Sequence, residues 1–189
     1  MIIVLKDKDS VYVASSIECS YSDVHMDDII NEENLKMWRP EGKDGCIMAF
    51  PTSSAPCIDT LRYEDIEALN KPLTSSVIIR EINPYLKELF DKQHMLDGED
   101  MWTDIVIAKD DKAFYITSTF TVCDIEDFDS IGSRSSEDIA YGFLAMNREL
   151  DPIDRIAGAF RAIEAGDASK HFPVVIMNTK TGGRIVIEK

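Results

Sequence analysis

Nucleophiles, bases and metal ligands are all present in this chain of 189 residues, but few are spaced to act together. The four cysteines, Cys19, Cys46, Cys57 and Cys123, form no C-x-x-C pair, and His25, His94 and His171 stand apart from them. A zinc site draws several such ligands from neighbouring turns, so none is expected. Three isolated histidines assemble no Ser–His–Asp arrangement. His25, in an acidic stretch, and His171, after Lys170, read as surface-loop residues that titrate near neutrality without consequence. Ser15 and Ser16 follow an apolar run and read as small residues of a crowded sheet. Asp127 and Asp129, close before Gly132-Ser133, offer oxygens that hard cations favour, but not the ligand spacing of a cation-binding loop. The sequence therefore predicts neither a metal nor a cofactor.

The elements that must position these groups are legible. Residues 2–6 (IIVLK) and 11–17 (VYVASSI) predict a hairpin around Asp7–Ser10. Residues 18–34 are polar, acidic and without period. LKMW (35–38) and CIMAF (46–50) predict short strands on either side of the Pro40–Gly45 turns. Ser53 or Ser54 can cap a helix that Asn70-Lys71-Pro72 ends. Thr74 caps the next, with Ile78, Ile82, Leu86, Leu89 and Phe90 on one face and Pro84 bending it. Strands are expected at 104–108, 113–119 and 121–125. A helix follows with Ser135 and Asp138 as a capping box. Another is capped by Asp151 and carries Ile153, Ile156, Ala157, Phe160 and Ile163 inward until Gly166. Residues 174–178 and 184–188 close the chain as a hairpin. Strands, helices, strands, helices, strands in that order bury every stripe if two sheets pack together with helices outside.

Composition narrows the function. An apolar share of 44%, with eight Phe, six Tyr and two Trp, fills a core. The formal charge of -15 repels nucleic acid and anionic membrane, both of which need a basic footprint. No apolar run reaches the roughly 20 residues of a membrane span, and no signal peptide is expected. A cytoplasmic protein with buried, reduced thiols is the expectation.

Four stretches, taken in order, resemble the N-terminal-nucleophile hydrolases, above all proteasome β subunits and the HslV peptidase. MIIVLKDKDSVYVAS resembles the opening strand, turn and second strand. NLKMWRPEGKDGCIMAFPTSSA is similar to the lysine-bearing strand and the small residues before the first helix. IGSRSSEDIAYGFL resembles the I-G-S-G motif and its helix, and IEAGDAS followed by VVIMN resembles the later helix end, acid and strand. The resemblance implies an α+β, four-layer αββα sandwich forming one domain over residues 1–189. It also implies a chemistry in which an N-terminal Thr, Ser or Cys attacks a peptide carbonyl while its own α-amine takes the proton. Such an amine titrates near pH 8, and a neighbouring lysine lowers it further.

By that resemblance the site positions are Met1, Ser16, Lys36, Ser133 and Asp167. Here the chain departs from the pattern. Met1 occupies the nucleophile's place, and a thioether has no proton to give up. Ser16 stands where the family has an acid, with Glu18 two residues on. Lys36, Ser133 after Gly132, and Asp167 followed by Ser169 keep the supporting types. Family precursors are often cut after glycine, but neither Gly45-Cys46 nor Gly132-Ser133 opens a strand hairpin. The expectation is a catalytically silent, proteasome-like homo-oligomer acting through assembly or a protein or peptide partner. The alternative is an amide hydrolase whose nucleophile appears after processing.

Overall fold

The computed structural model describes residues 1–16, 36–51, 55–166 and 171–188. The chain opens with β1 (Ile2–Asp7) and β2 (Ser10–Ser16), followed by β3 (Met37–Trp38), β4 (Cys46–Ala49) and helix α1 (Ala55–Arg62). A 3-10 turn at Glu67–Asn70 leads to α2, formed by the consecutive segments Ser75–Val77, Ile78–Ile82 and Asn83–Lys92. A small hairpin, β5 (Leu96–Asp97) and β6 (Asp100–Met101), precedes β7 (Ile105–Lys109), β8 (Lys112–Ile116), β9 (Val122–Asp124) and β10 (Phe128–Ile131). Helices α3 (Arg134–Met146) and α4 (Pro152–Gly166) then return the chain to β11 (Val174–Asn178) and β12 (Arg184–Ile187).

Two five-stranded antiparallel sheets result, ordered β10-β1-β2-β11-β12 and β3-β4-β7-β8-β9. Side chains alternate across each strand, so each sheet has two apolar faces to cover. Ile2, Val4, Val13 and Val175 meet Met37, Ile47, Val106 and Ala108 between the sheets. Ile3, Leu5, Ala14 and Ile176 face outward beneath Leu144, Ile156, Phe160 and Ile163 of α3 and α4. On the other side Met48, Phe50, Ile105 and Ile107 pack under Leu61 of α1 and Ile78, Leu86 and Phe90 of α2. Three apolar cores thus separate four layers, α, β, β and α. Among the described residues no helix is long and apolar enough to cross a membrane.

Several boundaries differ from expectation. The helix expected to run to residue 69 stops at Arg62, because buried Lys109 donates from Nζ to the carbonyls of Leu69 (2.6 Å) and Lys71 (2.9 Å) and holds that segment as a turn. The strand expected over 113–119 ends at Ile116. Thr117 N donates to the Thr121 carbonyl at 2.9 Å, and Phe120 adopts φ +61° to close the turn. Phe128–Ile131, to which the sequence assigns no element, is an edge strand paired with β1. The helix expected to be capped at Ser135 starts two residues earlier, with Ser133 at the N-cap position and no capping hydrogen bond from its side chain. In α2, Thr74 caps as expected, its Oγ1 accepting from Val77 N at 3.2 Å. The helix then widens: Asn83 N donates to the Ile78 carbonyl five residues back. Pro84 follows, and its ring has no N–H to give and crowds an ordinary turn, so a π turn lets the helix continue past it.

Two of the described cysteines, Cys46 and Cys57, are buried as expected, and burial pushes the Cys46 thiol up to about 12. Cys123 instead lies exposed on edge strand β9. His171, expected on the surface, is buried against Phe160, its backbone N–H donating to Glu164 Oε1 at 2.8 Å.

Candidate active site

One end of the sandwich is tied by hydrogen bonds from sheet to sheet. Arg39 donates to the Asn178 carbonyl at 2.5 Å, and Thr179 Oγ1 donates to the Asp110 carbonyl at 2.5 Å while accepting from Val11 N at 2.9 Å. Strand register places the family positions at the opposite end. Met1 heads β1 there, Ser16 ends β2, and Gly132 follows Ile131, the partner of Ile2. In the second sheet Met37 pairs with Ala49, and the Lys36 carbonyl accepts from Phe50 N at 2.8 Å, at the end remote from the Gly45–Asp110 contact. The fold therefore gathers Met1, Ser16, Lys36, Gly132 and Ser133 at one end of its two sheets. Asp167, Ser169 and Glu18 lie outside the described residues, as do Ser53, Ser54, Cys19, His25 and Lys170.

Met1 is built into the protein. Its α-amine donates to Ser16 Oγ at a long 3.4 Å, and its carbonyl accepts from Ser16 N at 3.3 Å, which extends the β1–β2 ladder to the first residue. Because Ile2 faces the space between the sheets, the Met1 side chain falls on the other face. There it joins the core under α3 and α4 and is only 5% exposed. Gly132 makes the room: a Cβ at that position would lie 3.2 Å from both Met1 Cα and Sδ and 3.3 Å from Cε. Ser16 is 1% exposed, and its neighbour Ser15 donates from Oγ to the Ser16 carbonyl at 3.0 Å.

The Gly132-Ser133 corner is held by the helix it opens. Ser133 has extended backbone, its carbonyl accepts from Glu137 N at 2.9 Å, and its Oγ donates to Ser136 Oγ at 2.8 Å. Glu137 reaches back so that Oε1 accepts from Gly132 N at 2.6 Å. Glu137 thus satisfies the N–H one residue before the N-cap and places a carboxylate at the positive end of the helix. Sequence reading missed Glu137, although an acid four residues after the capping serine was its signal. Ser130 Oγ donates to the Glu137 carbonyl at 3.0 Å. Asp129, read earlier as a possible cation ligand, accepts from Ser130 N at 2.8 Å instead. Burial holds its carboxyl above the usual range, partly offset by that hydrogen bond, with the Glu137 charge adding to the rise. Asp127 pairs with Arg148 at 2.9 Å. No group of three or more metal-ligating side chains occurs among the described residues.

Comparison with protein-family models finds no match, and comparison with curated proteins finds none. Solved structures do match. BPH from Thiobacillus denitrificans, both alone and in complex with epoxomicin, superposes with a TM-score of 0.71 at 16% identity, covering 94% of this chain and 96% of that one. HslV from Trypanosoma brucei superposes with a TM-score of 0.61 at 14% identity, covering 94% and 97%. The chain has the HslV-like, N-terminal-nucleophile hydrolase fold. Within that fold, the expected sandwich and the strand beginning at residue 1 are both present.

Proposed function

We propose that this protein is a catalytically silent HslV-like protein of the cytoplasm that acts through homo-oligomeric assembly or by binding a protein or peptide partner. The observation carrying this reading is Met1. At the head of β1, where the resemblance calls for a hydroxyl or thiol, stands a thioether packed against Gly132 and closed off from solvent. A nucleophile must lose a proton and meet substrate, and this side chain can do neither. The surrounding shell is consistent with descent from an active site, since Lys36, Ser133 and the N-terminal amine share one end of the sandwich. HslV-like neighbours are oligomeric assemblies, which supports self-association here.

Two observations weigh against a hidden hydrolase. Cutting before Cys46 would discard β1 and β2, the centre of the first sheet, and Cys46 itself is fully buried. Ser133 opens a helix rather than a strand, and its hydroxyl is spent on Ser136. The test is intact-mass measurement of the purified protein before and after incubation with epoxomicin, together with light scattering. The expected result is a chain headed by Met1, no adduct, and a mass of several subunits. An adduct, or an amino end of Thr, Ser or Cys, would overturn the silent reading, and a monomer would overturn the assembly.

A further inference from the structure

A cavity of about 370 Å³ opens between α2, the β5–β6 hairpin and the turn from β8 to β9. Three unusual features meet in its walls. The π turn of α2 contributes Ile79, with Asn83 and Pro84 just after it. Phe120, held at φ +61°, contributes the facing wall. A π turn and a non-glycine residue in left-handed backbone both cost free energy and tend to occur at functional sites.

The third feature is Asn83. Its Nδ2 donates to the Phe120 carbonyl at 2.8 Å, which fixes the amide's orientation, since the flipped form would set two oxygens against each other. The other end, Oδ1, is shielded from bulk water and accepts no hydrogen bond. Acceptors also dominate the rim. Glu99 and Asp100 line it, and the one lining cation, Lys87, already sits 3.3 Å from Glu99. Among the described residues the Asp100 carboxylate has no ion pair. An occupant suited to this surface brings positive charge to one side and apolar surface to the other. A single free carboxylate is too few ligands for a bare metal ion, whereas an ammonium needs only one.

We propose that this cavity binds a small organic cation, a primary ammonium held by Asp100 on a compact apolar body lying over Ile79, Pro84 and Phe120. The proposal is independent of whether Met1 is silent. The protein's charge of -15 raises the local concentration of such cations.

The probe is benzylamine, with benzyl alcohol as the uncharged counterpart, followed by saturation-transfer NMR and calorimetry on the full chain in whatever assembly it forms. Millimolar binding of benzylamine with much weaker binding of benzyl alcohol is expected. Asp100→Asn should weaken benzylamine roughly three- to fivefold, the range of an exposed charge pair, and Glu126→Gln, away from the cavity, should leave it unchanged. Because both substitutions are on exposed side chains, folding is preserved. Equal binding of the two probes, no binding, or equal losses from the two variants would overturn the proposal, the last by showing attraction to the acidic surface in general.

Discussion

The two ends of the sandwich are fastened in different ways. At the tied end, Thr179, Arg39 and Asn178 join the sheets through polar contacts between residues far apart in the chain, such as Arg39 and Asn178 at a separation of 139. At the end holding Met1, the contacts described are an extended β-ladder, a glycine against a thioether, and a helix cap. The second end is thus closed by packing, with the Met1 side chain buried against Gly132. The tied end anchors the sandwich through polar contacts, while the other end is held by a ladder and apolar packing.

The largest expected effect tests whether Met1 is structural. A chain headed by Ala, released from a cleavable leader, should lose about 2–5 kcal/mol of stability through the cavity left under α3 and α4, measured by denaturant unfolding. If Met1 packs only loosely, the loss will fall below 1 kcal/mol. At the tied end, Thr179→Val removes the acceptor of Val11 N and the donor to Asp110 in one step. A loss of about 2 kcal/mol is expected, since buried backbone groups are left unpaired. A smaller effect belongs to Gly132→Ala, where the new methyl must displace Met1 by a few tenths of an ångström, costing about 1 kcal/mol. Combined with the Ala-headed chain, that cost should fall but not vanish, since the 3.2 Å approach to the first residue's Cα remains, and a double-mutant cycle reads the coupling directly.

The smallest effect concerns pH. Asp129 has its folded pKa raised above the unfolded value, so the folded state binds the extra proton and this residue's contribution to stability declines as pH rises above about 4. Asp129→Asn should therefore raise the melting temperature more at pH 7 than at pH 4. An equal rise at both values would show that the carboxyl is not disfavoured by burial.

Most of the layering was legible in the sequence because apolar period and turn residues report burial directly. IIVLK, VYVAS, CIMAF and VVIMN became strands, and the stripes at Ile78–Phe90 and Ile156–Ile163 became the faces of α2 and α4. The misses arose where a distant partner decided the outcome. Lys109 ends the segment after α1 through two carbonyls nearly 40 residues away. β10 carries an acid in mid-strand that only pairing with β1 makes acceptable. At the candidate site the residue types at Met1, Ser16, Lys36 and Ser133 were readable in order. The burial of Met1 and its contact with Gly132 were not, because they depend on which face of β1 the first side chain takes.

The placement of β2 between β1 and β11 has a consequence for how the molecule is made. During synthesis, the second sheet can close while the opening hairpin still lacks β11, which is made after every strand of that sheet. Until then its apolar flank is an unpaired strand edge, the kind of surface that invites wrong partners. Refolding should accordingly be slow, with the sheet containing β1 completed last, and nascent chains should depend on holding factors until residues 174–178 leave the ribosome.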